Sequence, residues 1–134
     1  MDSDGYIGER VMQERYTTTL EKDMIGLIEY HLPGRSRDTL SWYENFEHET
    51  VLYYDDEGQL DGMISYFFLD FRFDTVIVMQ RDNVFYKSMW KVLKNTIAKR
   101  VKPLRIMSDP SNDVLVKGAK RHGGEWMQDE VWFY

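Results

Sequence analysis

The sequence predicts an α/β (α+β) fold, in which about four helices pack on a mixed, mostly antiparallel sheet. Strand patterns follow one another closely between residues 51 and 79, which indicates antiparallel neighbours. A long amphipathic helix pattern occupies residues 82–100, and a strand–helix–strand pattern occupies residues 104–134. A helix placed between two strands in this way predicts a right-handed crossover within one sheet.

Composition bounds the class of protein. A chain of 134 residues is expected to form one domain over residues 1–134, with four Trp, nine Tyr and seven Phe to build a core. No apolar run approaches the roughly 20 residues that span a bilayer, so no membrane partner is expected. The chain contains no cysteine and begins without the pattern of a signal peptide, so we expect a cytoplasmic protein without disulfides.

The net charge of −6 argues against nucleic acid as a partner, because neutralising phosphates requires a basic surface. The charges are unevenly spread, since residues 1–62 hold most of the acids and residues 87–121 are rich in Lys and Arg. This asymmetry is typical of two solvated faces, and the alternative is a locally basic groove.

Two helices are predicted ahead of the sheet, after a loose or edge segment of residues 1–17. Thr18 and Glu21 match a capping box, and Pro33-Gly34 ends the first helix. Ser36 can cap the second helix. The residues expected to point inward are Leu20, Met24, Leu27 and Ile28 in the first helix, and Leu40, Tyr43 and Phe46 in the second.

Three strands are predicted next, at residues 51–54, 63–71 and 75–79. The first two form a hairpin around residues 55–59, where Gly58 can adopt a positive φ. Both faces of the second strand are apolar or aromatic, which predicts a central place in the sheet. Its aromatic residues could instead form a stacking platform for bases, but core packing is the simpler interpretation.

The longest helix is predicted to begin after Asp82 or Asn83 and to end near Arg100. One face is apolar and the other basic. The apolar stripe consists of Phe85, Met89, Leu93 and Ile97, widened by Trp90 and Val92, and the basic face carries Lys87, Lys91 and Lys94.

The last third of the chain contains a short strand (104–107), a helix of about three turns and an aromatic strand (126–134). Pro110 suits the first helical turn, and Ser111 or Asn112 can cap the exposed amides. Gly123-Gly124 supplies the left-handed stop.

Catalytic side chains are not marked by a strong motif. The three histidines have no ligand spacing, so no metal site is predicted, and Ser65 and Ser88 have no evident His and Asp partners. A general base could come from four acids near strand ends, which are equally explained as solvated charges. These acids are Glu47, Glu49, Asp70 and Asp74.

Residues 112–134 carry a pattern in which Asn112 is followed by Leu115, Arg121 and Gly123, and then by an aromatic strand. In this element order, residues 18–134 resemble the GNAT superfamily of N-acetyltransferases. The family's helix has Asn, then an apolar residue at +3, Tyr at +7, a basic residue at +9 and Gly at +11. Ala119 stands at the Tyr position, so the resemblance implies that the usual acid for the thiolate leaving group is absent.

The resemblance also implies a cofactor loop at the start of the long helix, with the pattern Gln/Arg-x-x-Gly-x-Gly/Ala. Arg81 matches the first position, while Val84 and Tyr86 occupy the two glycine positions and Asp82 adds a negative charge. Backbone amides at a helix N-terminus must approach a pyrophosphate closely, and side chains at the glycine positions obstruct that approach. The resemblance therefore implies a degenerate cofactor loop. The implied cofactor-binding residues are Val78, Met79, Arg81, Asn83, Val84, Tyr86 and Asn112.

The resemblance implies a GNAT-like sheet that splays between the strands at 75–79 and 104–107. We expect Met79 and Leu104 to begin a cleft there, with the amino end of the long helix directed into it. The implied function is acetyl-CoA-dependent N-acetyl transfer. The alternative is a non-catalytic module that binds a protein partner.

The size and style of the chain also resemble those of short phage-encoded members of the superfamily, which implies a phage or host cytoplasm setting, or the virion. Such family members usually have one more strand at the end. We therefore expect that a partner protein, or a second copy in a homodimer, completes the sheet.

Overall fold

The computed structural model describes residues 13–69, 72–81, 87–99, 104–107, 113–127 and 130–133. Within these ranges the chain forms four helices and one seven-stranded sheet. In chain order the elements are β1 (Gln13–Thr17), α1 (Lys22–His31), α2 (Arg37–Asn45), β2 (His48–Tyr54), β3 (Leu60–Leu69), β4 (Arg72–Gln80), α3 (Lys87–Lys99), β5 (Leu104–Met107), α4 (Asp113–Arg121), β6 (Glu125–Met127) and β7 (Glu130–Phe133). The predicted fold class is confirmed.

The strands lie in the order β1-β2-β3-β4-β5-β7-β6. Neighbouring strands are antiparallel except for β4 and β5, which run parallel and are connected through α3. The predicted crossover is therefore confirmed. The central place of the 60–69 strand is also confirmed, because β3 lies between β2 and β4.

The core has two layers because successive strand residues point to opposite faces of the sheet. Helices α1 and α2 cover one face, and α3 and α4 cover the other. The first layer includes Met24, Leu27, Ile28, Tyr43, Phe67 and Ile77. The second layer includes Val76, Val78, Met89, Leu93, Ile106 and Ala119.

The α1 helix buries the face that its period predicts, since Met24, Leu27 and Ile28 are each fully buried. The predicted capping box is wrong. Glu21 is itself the N-cap residue, and no side chain caps the helix. Its carboxylate instead accepts hydrogen bonds from Arg15, and an ion pair to a neighbouring strand replaces the local cap.

The α2 helix follows Ser36, as predicted, but the Ser36 side chain makes no capping hydrogen bond. Tyr43 points inward and is buried. The inward placement of Phe46 is wrong, because Phe46 follows the last helical residue and is 41% exposed. Outside the helix, its backbone is extended and no longer follows the helical period.

The prediction of a loose or edge segment for residues 1–17 is confirmed in its edge form for residues 13–17, which form β1 at one edge of the sheet. This strand pairs with β2 from Gln13↔Tyr54 to Thr17↔Thr50. Residues 1–12 lie outside the described part of the chain. The strand is largely exposed, so it lacks the apolar alternation by which strands are recognised in a sequence.

The aromatic strand predicted for residues 126–134 is two strands, β6 and β7, which pair with each other. Strand β7 also pairs with β5 and so lies between β5 and β6. The end of the chain thus contains one strand more than predicted, and a partner that completes the sheet stays a prediction. The left-handed stop before this hairpin is confirmed, since Gly123 has a φ of 86° and the Gly124 N–H donates to the Ala119 carbonyl.

The α3 stripe is confirmed where side chains are described, since Met89 and Leu93 are fully buried while Lys91 and Lys94 are exposed. The predicted start of this helix at residues 82–83 lies outside the described residues. The hairpin turn at 55–59 is also confirmed. Gly58 has a φ of 81°, and the Asp55 carboxylate accepts hydrogen bonds from two backbone N–H groups of the turn.

Candidate functional site

Among the described residues, the carboxyl end of β4 extends past the last residue of its parallel neighbour β5. Pairing between β4 and β5 runs from Thr75↔Arg105 to Ile77↔Met107, where β5 ends. Strand β4 continues through Val78 and Met79 to Gln80, still paired with β3 on its other side. Ligands of open α/β sheets bind at the carboxyl ends of strands. The segment 78–80, called the open segment below, is therefore the candidate site.

The expectation that Met79 and Leu104 begin the cleft together is wrong for Leu104. Because β4 and β5 run parallel, the amino end of β5 lies beside the amino half of β4. Leu104 precedes the pair Thr75↔Arg105 and is thus at the far end of the ladder from Met79. The residue of β5 nearest to the open segment is Met107.

The side chains of Val78 and Met79 belong to the core. Val78 is buried in the layer under α3 and α4, and Met79 packs against the layer under α1 and α2. Each side chain is therefore already used for packing. A ligand beside the open segment would meet the backbone N–H and C=O groups of these residues rather than their side chains.

Arg81 follows the open segment and is held in place by three contacts. Its backbone N–H donates to the Asp61 carbonyl at 2.7 Å, and its Nε donates to the Leu60 carbonyl at 3.3 Å. Its guanidinium lies 4.7 Å from the ring centroid of Tyr30 on α1. These contacts fix a positive charge at the carboxyl end of β4, on the α1 side of the sheet.

Gln80 is the most unusual residue of the open segment. The residue is only 4% exposed, yet its Nε2 and Oε1 atoms have no hydrogen-bond partner among the described residues. Buried amides nearly always have partners, and an unpaired one costs free energy. Gln80 has the strand parity of Val78, so its side chain lies on the α3 side of the sheet.

On that face, Gln80, Gly62 and Tyr53 lie side by side on three neighbouring strands. The second polar group without a described partner is the Tyr53 hydroxyl. Gly62 of β3 pairs with both Gln80 and Tyr53. Tyr53 is fully buried, and its hydroxyl has no hydrogen-bond partner in the described part of the chain. Burial raises the pKa of this hydroxyl. A Cβ on Gly62 would lie 3.1 Å from the sulfur and methyl of Met89, so α3 approaches the sheet closely between the two polar side chains.

Ala119, at the position of the family's tyrosine, is 1% exposed and packs in the core layer under α3 and α4. It is part of the apolar contact between these helices. The neighbouring Gly118 makes the contact especially close, since a Cβ there would lie 2.1 Å from the Cη2 atom of Trp90. The described part of α4 therefore presents a methyl group where the family has a phenol.

The other predicted site residues are not brought together by the described structure. Asn83, Val84, Tyr86 and Asn112 lie outside the described residues, as does the base candidate Asp70. Asp74 lies within β4, and Glu47 and Glu49 are exposed. The cofactor roles of all these residues remain predictions.

A buried polar chain that the sequence did not reveal lies under α2. The Tyr43 hydroxyl donates to Ser65 Oγ at 2.7 Å, and Ser65 Oγ lies 2.9 Å from Thr50 Oγ1. Thr50 Oγ1 lies 3.2 Å from Nδ1 of His48. Burial lowers the pKa of His48, whose ring packs 4.9 Å from that of Tyr43.

This set of hydrogen-bonded side chains, from Tyr43 to His48, lies away from the open segment. His48 lies in the row of Phe67 and Thr75, at the amino half of β4, whereas Gln80 is at its carboxyl end. In the sequence, the signal for this polar cluster was the presence of polar residues at inward positions of two apolar strands. Only the strand register shows that these residues contact one another.

The described ranges contain neither a cluster of metal ligands nor a helix able to span a membrane. No group of three or more His, Asp or Glu side chains there could hold a metal ion. None of the helices in those ranges combines the length and apolarity needed to cross a bilayer.

Neither a protein-family model nor a curated protein sequence matches this chain. Solved structures do match it. An acyl-CoA N-acyltransferase from Pseudomonas aeruginosa has a TM-score of 0.53 at 11% identity, covering 91% of this chain and 97% of that one. A protein assigned as an acetyltransferase from Acinetobacter baylyi ADP1 has a TM-score of 0.50 at 12% identity, covering 91% and 90%. The chain therefore shares the fold of these acyltransferase structures.

Proposed function

We propose that this protein is an N-acyltransferase that takes acetyl-CoA as its acyl donor and an amine as its acceptor. The observation that carries the proposal is the open segment of β4, at the carboxyl end of a parallel strand pair in a GNAT-type fold. Within the described residues, β4 continues there beyond its last pair with β5, and an extended, amide-containing chain can pair with the backbone groups of such a strand end.

The residues at this end suit the coenzyme in two respects. The guanidinium of Arg81 supplies a fixed positive charge, which suits a phosphate. The unpaired amide of Gln80 supplies buried hydrogen-bonding capacity. The bound coenzyme would supply a thioester whose acyl carbon an amine can attack, and the chain's own residues would bind and orient it.

Calorimetric titration with acetyl-CoA tests this proposal directly. We expect saturable binding of micromolar strength to the folded protein, with competition by coenzyme A. Acetyl transfer to a panel of primary amines would then define the acceptor. Absence of heat at millimolar acetyl-CoA, with circular dichroism showing a folded protein, would contradict the proposal.

A second candidate is a non-catalytic module that binds a protein partner, in a phage or host setting or as a homodimer. The specific observation that favours it is Ala119, whose buried methyl group cannot protonate a leaving thiolate. This candidate predicts no acetyl transfer. Its association with a second copy would appear as a doubled solution mass in light scattering.

A further inference from the structure

We propose that β1 is a homodimer interface, at which two copies of this chain pair their edge strands antiparallel about a two-fold axis. Strand β1 is the first strand in the order of the sheet, and its described neighbour is β2. The edge strand on the opposite side of the sheet, β6, spans three residues, whereas β1 spans five. The longer edge offers more backbone groups to a second strand, and exposed sheet edges readily accept one.

The hydrogen bonds of β2 show which of its backbone groups face β1. The Phe68 N–H donates to the Glu47 carbonyl at 2.8 Å. These two residues stand opposite each other, one step beyond the pair His48↔Phe67. Hydrogen-bonded and non-hydrogen-bonded pairs alternate along an antiparallel ladder. The odd-numbered residues of β2 therefore direct their backbone groups to β3, and the even-numbered residues direct theirs to β1.

The same alternation identifies the outward backbone groups of β1. Gln13, Arg15 and Thr17 stand opposite even-numbered residues of β2 and so form the hydrogen bonds between the two strands. The N–H and C=O groups of Glu14 and Tyr16 are consequently directed away from β2, towards the outer edge. These are the groups with which a second strand would pair.

The side chains of β1 do not protect this edge. Natural edge strands are commonly blocked by Lys, Pro or a bulge. Strand β1 has the sequence Gln-Glu-Arg-Tyr-Thr and keeps one register with β2 along its length. Its cation, Arg15, already engages the Glu21 carboxylate, and Tyr16 is 70% exposed. Because tyrosine is enriched at protein interfaces, its place on an open edge favours docking over simple solvation.

Two symmetric registers use the outward groups of Glu14 and Tyr16. If the axis passes through Arg15, the two Arg15 side chains stand opposite each other, and opposed like charges destabilise a ladder. If the axis passes through Tyr16, the two tyrosines form a cross-strand aromatic pair. Glu14 then faces Thr18 of the second copy, and Arg15 faces Thr17. This register opposes no like charges, so we assign it.

The assigned register also identifies the occupant of the edge. In it, the outward groups of Glu14 and Tyr16 meet an identical set, and every charged side chain of β1 faces a neutral one. Strand β1 is thus complementary to itself. A second copy of this chain therefore fits the edge better than a strand of unspecified sequence.

The interface is independent of the proposed acyl transfer. Strands β2 and β3 lie between β1 and β4, which places the edge about 14 Å from the open segment. A second copy would add its sheet on the side remote from that segment. Donor binding and self-association can therefore each fail without the other.

The experiment measures the solution mass of the full chain by sedimentation equilibrium over a range of concentrations. The test variants are Tyr16→Lys and Tyr16→Glu, each alone and then mixed in equal amounts. At the two-fold position, either variant alone opposes like charges, whereas the mixture opposes unlike charges. Phe46→Lys is the matched control, because Phe46 is also an exposed aromatic (41%) but follows α2. Circular dichroism checks that each variant is folded.

We expect the wild type to approach twice the mass of one chain, with a dissociation constant of about 1–100 μM because the ladder is short. Each Tyr16 variant alone should associate about tenfold more weakly, since the aromatic pair is lost and like charges are opposed. The equal mixture should recover association. Phe46→Lys should associate as the wild type does.

A wild type that stays monomeric at millimolar concentration would overturn the inference. So would association that is unchanged in both Tyr16 variants, a mixture that associates no better than its components, or a loss of association in Phe46→Lys. Tighter association of Tyr16→Lys alone would indicate the register through Arg15, in which position 16 faces Glu14, and would overturn the assigned register. None of these results bears on acetyl-CoA binding, which is titrated separately.

Discussion

Two glycines inside helices differ in what surrounds them. A Cβ on Gly118 in α4 would lie 2.1 Å from the Trp90 ring, whereas a Cβ on Gly26 in α1 would meet nothing within 4 Å. The Trp90 ring also packs 5.5 Å from that of His122, which limits where it can move. Gly118 thus sets the distance between α3 and α4, and Gly26 does not set the packing of α1.

Gly118→Ala is expected to lower the free energy of unfolding by about 1–3 kcal/mol, as overpacking does. Gly26→Ala is the matched control and should raise it by about 0.5–1 kcal/mol through helix propensity alone. Urea unfolding followed by tryptophan fluorescence measures both. Equal effects of the two substitutions would mean that α4 does not pack on Trp90 as described.

His48 makes stability depend on pH. Burial lowers its pKa below the ordinary 6.5, so the unfolded chain takes up a proton before the folded chain does. The stability contributed by the neutral imidazole is therefore present above about pH 6.5 and is lost as the pH falls below it. The free energy of unfolding of the wild type should decrease from pH 7 to pH 5, with a shallower slope in His48→Gln. Parallel slopes would rule out this source of pH dependence.

At the residue scale, periodicity alone predicted Met24, Leu27 and Ile28 in α1 and Met89 and Leu93 in α3 as core. It could not predict the unpaired amide of Gln80 or the His48 chain. Those features depend on which residues face each other across strands, and that register is a tertiary property.

Arg15 connects the edge strand β1 to two neighbouring elements. It donates to both carboxylate oxygens of Glu21 and, at 3.0 Å, to the Tyr54 hydroxyl on β2. The Tyr54 hydroxyl in turn donates to Asp23 on α1 at 3.1 Å. The polar surface at this edge therefore links β1, β2 and the first turn of α1.

Glu21→Gln should reduce thermal stability at pH 7, because the guanidinium of Arg15 lowers the pKa of Glu21 to about 2. The ionised carboxylate stabilises the fold above the ordinary pKa of 4.5, and this contribution is lost as the pH falls towards 2. The difference in melting temperature between variant and wild type should therefore shrink over that range. Since both side chains are partly exposed, the effect should be small and should weaken further in high salt. A difference that persists unchanged at pH 2 would contradict this account.

The cofactor loop that the sequence resemblance implies at residues 81–86 can be tested at the scale of the element. Replacing Val84 and Tyr86 together with glycine should tighten acetyl-CoA binding, because bare backbone amides can approach a pyrophosphate more closely. Calorimetry compares the double variant with the wild type, and circular dichroism without ligand checks that the helix is retained. Unchanged affinity in a folded variant would show that the phosphates bind elsewhere.

The sequence predicted most elements but missed their ends where tertiary contacts decide. Strand β1 was predicted only as a loose or edge segment because Gln13–Thr17 is polar and exposed, so its pairing with β2 leaves no periodic signal. The capping box at Thr18 failed because Arg15 engages the Glu21 carboxylate. The final hairpin was interpreted as one strand because both halves are aromatic.

At the scale of the whole molecule, the order of elements was enough to predict the fold class. The order of elements could not predict that β7 lies between β5 and β6, since sequence order does not determine spatial order in a sheet. The candidate site was predicted to lie at the carboxyl end of β4, where the nearest described residue of β5 is Met107 rather than Leu104. Leu104 was chosen wrongly because the direction of β5 relative to β4 cannot be derived from a local sequence pattern.

The short parallel ladder between β4 and β5 joins two parts of the sheet. Each part is built from strands that are close together in the sequence. Strands β1 to β4 form an antiparallel succession, whereas β5, β7 and β6 join it through the pairs Thr75↔Arg105 to Ile77↔Met107. Local unfolding tends to follow such supersecondary units. The two segments should therefore open at different free energies.

Native-state hydrogen exchange should reveal this division. Amides of Val51, Ile64 and Val78 are expected to exchange only through global unfolding, while those of Ile106 and Trp132 should exchange through a lower-energy opening. Identical protection in both segments would instead mean that the helices α3 and α4 lock the sheet into one cooperative unit. In the divided case, the carboxyl end of β4 would become transiently accessible each time the later strands detach, giving a bulky ligand a route of entry without global unfolding.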